Sequence, residues 1–263
     1  LGQSVTFKEG EGPVLKPIRS IEDLGLLSVS KINDHLEPVM KTIRGVVSEV
    51  PEHIAVIGFC GGPWTVAVYM VEGRSKTDHE IVRSWSVKDP KGFSKLINMI
   101  TDASIKYLLQ QIKNGVEVVQ IFDSWSGVLD KDGFYQWVIE PTKRIVEAIW
   151  SVYPKFPIIG FPRLAGNLIL DYVVETNVCA VGLDQTVPLN WAANTIQQQC
   201  AVQGNLDNMV LVEGGKQLRK SINIILQKLN NGPFIFNLGH GVLPNTPPAH
   251  VNDAIEIIKS WRG

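Results

Sequence analysis

The side chains of this 263-residue chain best suited to chemistry stand just after short apolar runs. Phe122, Asp123 and Ser124 close the run over residues 116–122, and Arg163 follows 157–161. Asp184 follows 179–183, Asn205 to Asp207 follow 200–204, and His240, flanked by Gly239 and Gly241, follows 233–238. A sixth run, 53–58, leads into a glycine-rich segment over 58–64 and then to Tyr69. Hydroxyl, guanidinium and imidazole groups are hydrogen-bond donors, which is the equipment needed to hold a carboxylate.

Taken one at a time, each residue admits two readings. The Tyr69 hydroxyl can donate to a substrate carboxylate or to backbone. Ser124 can face a ligand or cap a turn; no GxSxG elbow surrounds it, so a nucleophilic role is disfavoured. Arg163 can grip two carboxylate oxygens as a fork or form a surface ion pair. Two flanking glycines leave the His240 imidazole accessible, and near neutral pH it can offer a donor or a partial positive charge. No second His or Cys lies at ligand spacing from it, so metal binding is disfavoured. His35, His53, His79 and His250 read as surface or helix residues. Asp184 and Asp207 follow strands, where aspartate commonly caps the next helix. The glycines of 58–62 lack dinucleotide or P-loop spacing and read as turn and packing residues; Pro63 suits the first turn of a helix and Trp64 the core.

The elements that must position these residues are legible as an alternation. The six runs are apolar enough for strands buried on both faces, and amphipathic stretches separate them. Phe93, Leu96, Ile97, Ile100, Tyr107 and Leu108 repeat at helical spacing, as do Leu218, Ile222, Ile225 and Leu229. Asn114-Gly115 supplies a helix stop. Residues 32–50 and a closing stretch with Val251, Ala254, Ile255, Ile258 and Trp261 on one face read as further helices, and 10–17 as an irregular loop. Functional groups collected after parallel strands are the pattern of a (β/α) barrel enzyme. Six units fall two short of an eight-fold barrel, and one domain over 1–263 is expected.

Bulk properties narrow the function. Net charge is -1 and 19% of residues are charged, with no basic face to predict nucleic-acid binding. Three cysteines, Cys60, Cys179 and Cys200, fit neither a disulfide framework nor a zinc site and suit a reducing cytosol. No apolar stretch approaches the ~20 residues of a membrane span.

The segment GFCGGPWTVAVYMVEG over 58–73 carries more fixed residues of mixed type than packing demands. Together with FDS over 122–124, GFPR over 160–163, GLD over 182–184, QGNLD over 203–207 and NLGHGVLPNTPP over 237–248, it resembles the uroporphyrinogen decarboxylase family, motif by motif and in order. The resemblance implies decarboxylation of the four acetate side chains of uroporphyrinogen III to give coproporphyrinogen III, in heme and chlorophyll biosynthesis. It implies a (β/α)8 TIM-type barrel without its opening one or two units, no cofactor, no metal, a cytoplasmic homodimer, and no nucleic acid or membrane. It implies substrate-binding roles for Tyr69, Ser124, His240 and Arg163, with Phe122 lining the pocket floor. The family's catalytic Asp and an Arg-rich segment have no match in the chain; the Asp is expected just before Leu1, and the chain by itself is expected to be inactive. Two rival readings are a catalytically incomplete tetrapyrrole-binding protein and a zinc-dependent methyltransferase of the same superfamily.

Overall fold

The computed structural model describes residues 1–8, 12–74 and 79–263. It divides into two compact units, Leu1–Ile158 and Ile159–Gly263.

In the first unit, β1 (Val5–Lys8) and β2 (Gly12–Leu15) form an antiparallel pair with Val5 opposite Leu15. The stretch 10–17, expected to be irregular, therefore includes a strand: alternating backbone pairing with β1 satisfies its polar groups. Residues 10 and 11 lie outside the described residues. The short α1 (Ile21–Leu24) is opened by a capping box between Ser20 and Asp23, and α2 (Ile32–Glu49) matches the helix read over 32–50. The parallel strands β3 (Ile57–Gly61) and β4 (Val118–Asp123) pair with Ile57 opposite Val118. The first of these begins four residues later than the sequence suggested, and Gly58 to Gly61 are strand rather than turn. The cause is Gln111, whose side chain donates to Phe59 O and accepts from Phe59 N, both at 2.9 Å, holding this segment extended.

Helices α3 (Pro63–Glu72), α4 (Glu80–Lys88) and α5 (Pro90–Lys113) lie between those strands, and α6 (Lys131–Phe134), a π-helical turn (Tyr135–Ile139) and α7 (Glu140–Val152) follow β4. The apolar stripe of α5 is buried at Phe93, Leu96, Ile97, Ile100 and Leu108, and Gly115, at φ 103°, ends the helix as Asn114-Gly115 foretold. Phe93 is the hub of this core. Its ring meets Trp64 at 5.9 Å, Trp85 at 5.5 Å and Trp137 at 4.9 Å between centroids, each edge to face.

The second unit holds the continuation of β5 (Ile158–Pro162), then α8 (Leu168–Thr176), β6 (Ala180–Gly182), α9 (Leu189–Trp191), β7 (Ala201–Leu206), α10 (Asn208–Glu213), α11 (Gly215–Leu229), β8 (Phe234–Leu238) and α12 (Pro248–Ser260). All its strand pairs are parallel, with Ile159 opposite Ala180, Ala180 opposite Ala201, and Val202 opposite Phe234. Leu218, Ile222, Ile225 and Leu229 are buried, as their spacing indicated. The closing helix differs in detail: Ala254 and Ile257 form its buried edge, while Ile255 is exposed. The chain thus supplies the six parallel strands read from its sequence, each followed by a segment that carries polar groups.

Phe93→Ala is expected to lower stability by about 3–5 kcal/mol, because it empties the centre of a four-ring cluster. Urea unfolding followed by tryptophan fluorescence checks this.

Candidate functional site

In the first unit, the site is built where α3 meets the end of β4. Pro63 occupies the first turn of α3 and Trp64 is wholly buried, both as expected. Every residue of the helix is buried or half-buried except Tyr69, which is exposed. The Tyr69 hydroxyl has no hydrogen-bond partner among the described residues, and its ring lies edge-on to Trp125 at 6.4 Å. Thr65, one turn earlier and on the same face, meets the β4 loop directly. Asp123 Oδ1 accepts from the Thr65 backbone N at 3.1 Å and from its hydroxyl at 2.5 Å. The same hydroxyl oxygen accepts from Trp125 N at 3.1 Å, and Trp64 Nε1 donates to Trp125 O at 3.0 Å. Half-buried Ser124 sits between two residues tied to α3. Phe122 packs edge-to-face on Phe59 at 5.9 Å.

Asp123 is fully buried, and its Oδ2 has no hydrogen-bond partner among the described residues. Burial pushes the carboxyl up to about 7, against the opposing pull of the two Thr65 hydrogen bonds. Gly62 allows this arrangement. A Cβ there would collide with the Asp123 carboxyl group, so only glycine lets the entry to α3 approach it.

The second unit has a comparable centre at Asp184, also buried. Its Oδ2 accepts from Leu164 N at 2.7 Å, and its Oδ1 accepts from Thr186 N at 2.9 Å and the Thr186 hydroxyl at 2.5 Å. Leu164 is left-handed, at φ 60°, and the hydrogen bond to Asp184 holds it there. Arg163 immediately precedes it. Asn205 donates to Asp184 O and Val187 O, each at 3.0 Å, adding the β7 end to the same cluster. Asp207, by contrast, is a helix cap: its side chain accepts from Met209 N at the start of α10. His240 is close enough to Arg163 and Asp184 to feel both. Partial desolvation lowers its pKa, the Arg163 charge lowers it further, and Asp184 opposes. Its flanking glycines do not use positive φ. Gly239 is glycine because a Cβ would strike the Gln185 backbone.

The structure therefore groups Tyr69, Phe122 and Ser124 in one unit, and Arg163 and His240 in the other. Residues that the sequence did not single out are Thr65, Trp125 and His79. The last is not a surface residue: it is 1% exposed, with its ring 4.6 Å from that of Trp125. His250 is half-buried on α12, a helix residue as expected, with Nδ1 3.0 Å from Val212 O. A polar residue three positions into α3 was the one available signal for Thr65, but its partner lies 58 residues away. Among the described residues no cluster of three or more His, Cys, Asp or Glu side chains is arranged to hold a metal, and no helix is long and apolar enough to cross a membrane.

Comparison with known proteins decides the family. Residues 1–261 match the family model described as uroporphyrinogen decarboxylase. The chain belongs to the uroporphyrinogen decarboxylase family. A uroporphyrinogen decarboxylase of Rhodospirillum rubrum is 47% identical over 262 residues, covering 100% of this chain and 75% of that relative. One from a Chelativorans species is 47% identical over 262 residues, covering 100% and 76%. Among solved structures, a methyltransferase from Methanosarcina mazei aligns with TM-score 0.79 over 98% of this chain and 75% of its own, at 16% identity, a likeness of fold alone.

The family motif over 58–73 now has a physical reason at its successive positions. Gly62 admits Asp123, Pro63 starts the helix, Trp64 fills the core and Thr65 bonds Asp123. Glu72 Oε1 accepts from Ile81 N at 3.0 Å and Val82 N at 3.1 Å, and Gly73 ends α3 in the left-handed conformation.

The raised Asp123 pKa has a consequence for stability. Folding favours the protonated carboxyl, so this group's contribution is complete below its ordinary value of 3.8 and is lost as pH rises through about 7. The stability of the natural chain relative to Asp123→Asn is expected to fall from about pH 4 to about pH 7 and to level off above. Urea midpoints across that range check the sign.

Proposed function

We propose that this chain carries the residues that bind uroporphyrinogen through its carboxylates, in the reaction that removes carbon dioxide from the acetate side chains and gives coproporphyrinogen. The observation that carries the reading is the family match across residues 1–261. The exposed Tyr69 on an otherwise buried helix, beside the loop that carries Ser124, supports it.

The substrate carries its charge on carboxylates, and each charge-assisted hydrogen bond contributes roughly 1.5–3 kcal/mol net. In this reading the Tyr69 and Ser124 hydroxyls donate to substrate carboxylate oxygens and Phe122 offers an apolar wall. Arg163 supplies a permanent charge and a planar fork. His240, its pKa lowered, is neutral near neutral pH and acts as a hydrogen-bond donor rather than a cation.

In the chemical step a proton adds to the pyrrole carbon beside the acetate, creating an iminium-like ring. The carbon–carboxylate bond then breaks, its electron pair flows into that ring, and carbon dioxide leaves. A proton taken up at the exocyclic carbon forms the methyl group, and loss of the ring proton restores the pyrrole. Net, each acetate and one proton become a methyl group and carbon dioxide. The pyrrole is its own electron sink. Binding residues contribute by holding the macrocycle in the reactive orientation. A cytoplasmic homodimer is part of the same reading, supported by the family resemblance.

Tyr69→Phe and Ser124→Ala are each expected to weaken uroporphyrinogen binding about tenfold or more, since 1.4 kcal/mol corresponds to a factor of ten. An anaerobic titration followed by tryptophan fluorescence checks this. Unchanged affinity in both variants would sink the carboxylate-binding assignment.

A further inference from the structure

A hydroxyl group has one proton to give, and at Thr65 that fact fixes the direction of a short relay. Trp125 N can only donate, so Thr65 Oγ1 accepts from it and must send its own proton to Asp123 Oδ1. The Thr65 backbone N–H donates to the same oxygen. Asp123 and Trp125 are the two chain neighbours of Ser124, and Thr65 stands one helical turn before Tyr69. Both residues beside Ser124 are thus bonded to the helix that presents Tyr69, and the Tyr69 ring rests against Trp125.

We propose that Asp123 and Thr65 are positioning residues for substrate binding, which lock the loop after β4 to the first turn of α3 and so set the Ser124 hydroxyl at a fixed spacing from the Tyr69 hydroxyl. This rests on the carboxylate-binding roles given to Tyr69 and Ser124 above. Neither Asp123 nor Thr65 touches substrate in this account; both are buried, and their effect passes through Ser124 and Tyr69.

The chemistry at the centre is specific. A carboxyl group buried without full pairing is costly, and an apolar residue would be the cheaper choice for stability alone. Asparagine is isosteric with aspartate but is not equivalent here. Turned to offer its oxygen to Thr65, it would place an NH2 group where Oδ2 lies against Gly62, adding buried donors at a position where no hydrogen-bond partner stands among the described residues. Serine at position 65 keeps the hydroxyl and the relay, whereas valine keeps the shape and loses both bonds of the hydroxyl.

The test compares uroporphyrinogen affinity, measured anaerobically by tryptophan fluorescence, in Thr65→Val, Thr65→Ser and Asp123→Asn, with Tyr69→Phe and Ser124→Ala as references. Thr65→Val and Asp123→Asn are expected to bind about tenfold more weakly, and Thr65→Ser within about twofold of the natural chain. In the Thr65→Val background, adding Ser124→Ala is expected to cost much less than it does alone, because the serine is no longer held for ligand. A folded Thr65→Val with natural affinity would overturn the proposal, and so would Thr65→Ser as impaired as Thr65→Val. Should Thr65→Val fail to fold, Asp123→Asn decides: natural affinity there sinks the positioning role, and weakened affinity with an intact Thr65→Ser supports it. Losses in Tyr69→Phe and Ser124→Ala without any in Thr65→Val or Asp123→Asn remove the positioning role alone. Natural affinity in both reference variants removes the carboxylate reading beneath it.

Discussion

A buried aspartate that accepts backbone N–H groups from a neighbouring loop is the interaction on which both units build their functional ends. Asp123 holds the start of α3 through Thr65. Asp184 holds Leu164 and Thr186, which belong to the loops after β5 and β6. Asp123 is the last residue of β4 and Asp184 stands two residues beyond β6, so each carboxylate marks the place where the rigid sheet stops and irregular chain begins. A loop of that kind must satisfy its own polar backbone groups, and a fixed acceptor on the strand end does so without a second secondary-structure element.

Bringing a carboxylate out of water costs several kcal/mol unless hydrogen bonds replace the lost hydration. Asp184 recovers three such bonds across its two oxygens, whereas Asp123 gathers its bonds on Oδ1. Full burial, offset only in part by the two Thr65 hydrogen bonds, displaces the Asp123 carboxyl to about 7. What the cost secures is order at the strand ends. Tyr69 is exposed and Ser124 and Arg163 are half-buried; Ser124 adjoins Asp123 itself, Arg163 adjoins Leu164, which is bonded to Asp184, and Tyr69 stands one turn from Thr65, which is bonded to Asp123. A donor that is already immobilised loses little freedom on binding, so more of each hydrogen bond appears as affinity.

The sequence made the strands and long helices visible because their burial is periodic. The apolar face of α5 and the faces of α11 follow directly from residue spacing, and the strands after the first fall within a residue or two of their apolar runs. The first strand was misplaced because its boundary depends on Gln111, a side chain 52 residues away that pairs with Phe59. The hairpin of β1 and β2 was hidden by Gly and Pro, which usually mark loops but tolerate an edge strand. Among the residues proposed for binding, Tyr69, Ser124, Arg163 and His240 stood out through motif and position. Thr65 and Trp125 were not, since their roles arise from contacts across 58 to 61 residues that no local pattern encodes. His79 was misjudged for the same reason: it is buried with its ring against that of Trp125, a residue distant in sequence.

The most direct measurement is native-state amide hydrogen exchange at four backbone N–H groups, those of Thr65, Trp125, Leu164 and Thr186. None is paired within a strand ladder; three accept their protection from Asp123 or Asp184, and Trp125 takes it through the Thr65 hydroxyl. If buried aspartates are what order these ends, the four amides exchange as slowly as those inside β4 and β7. Exchange at the rate of exposed loop amides would contradict that view, and would mean that the loops are held by something other than their aspartates.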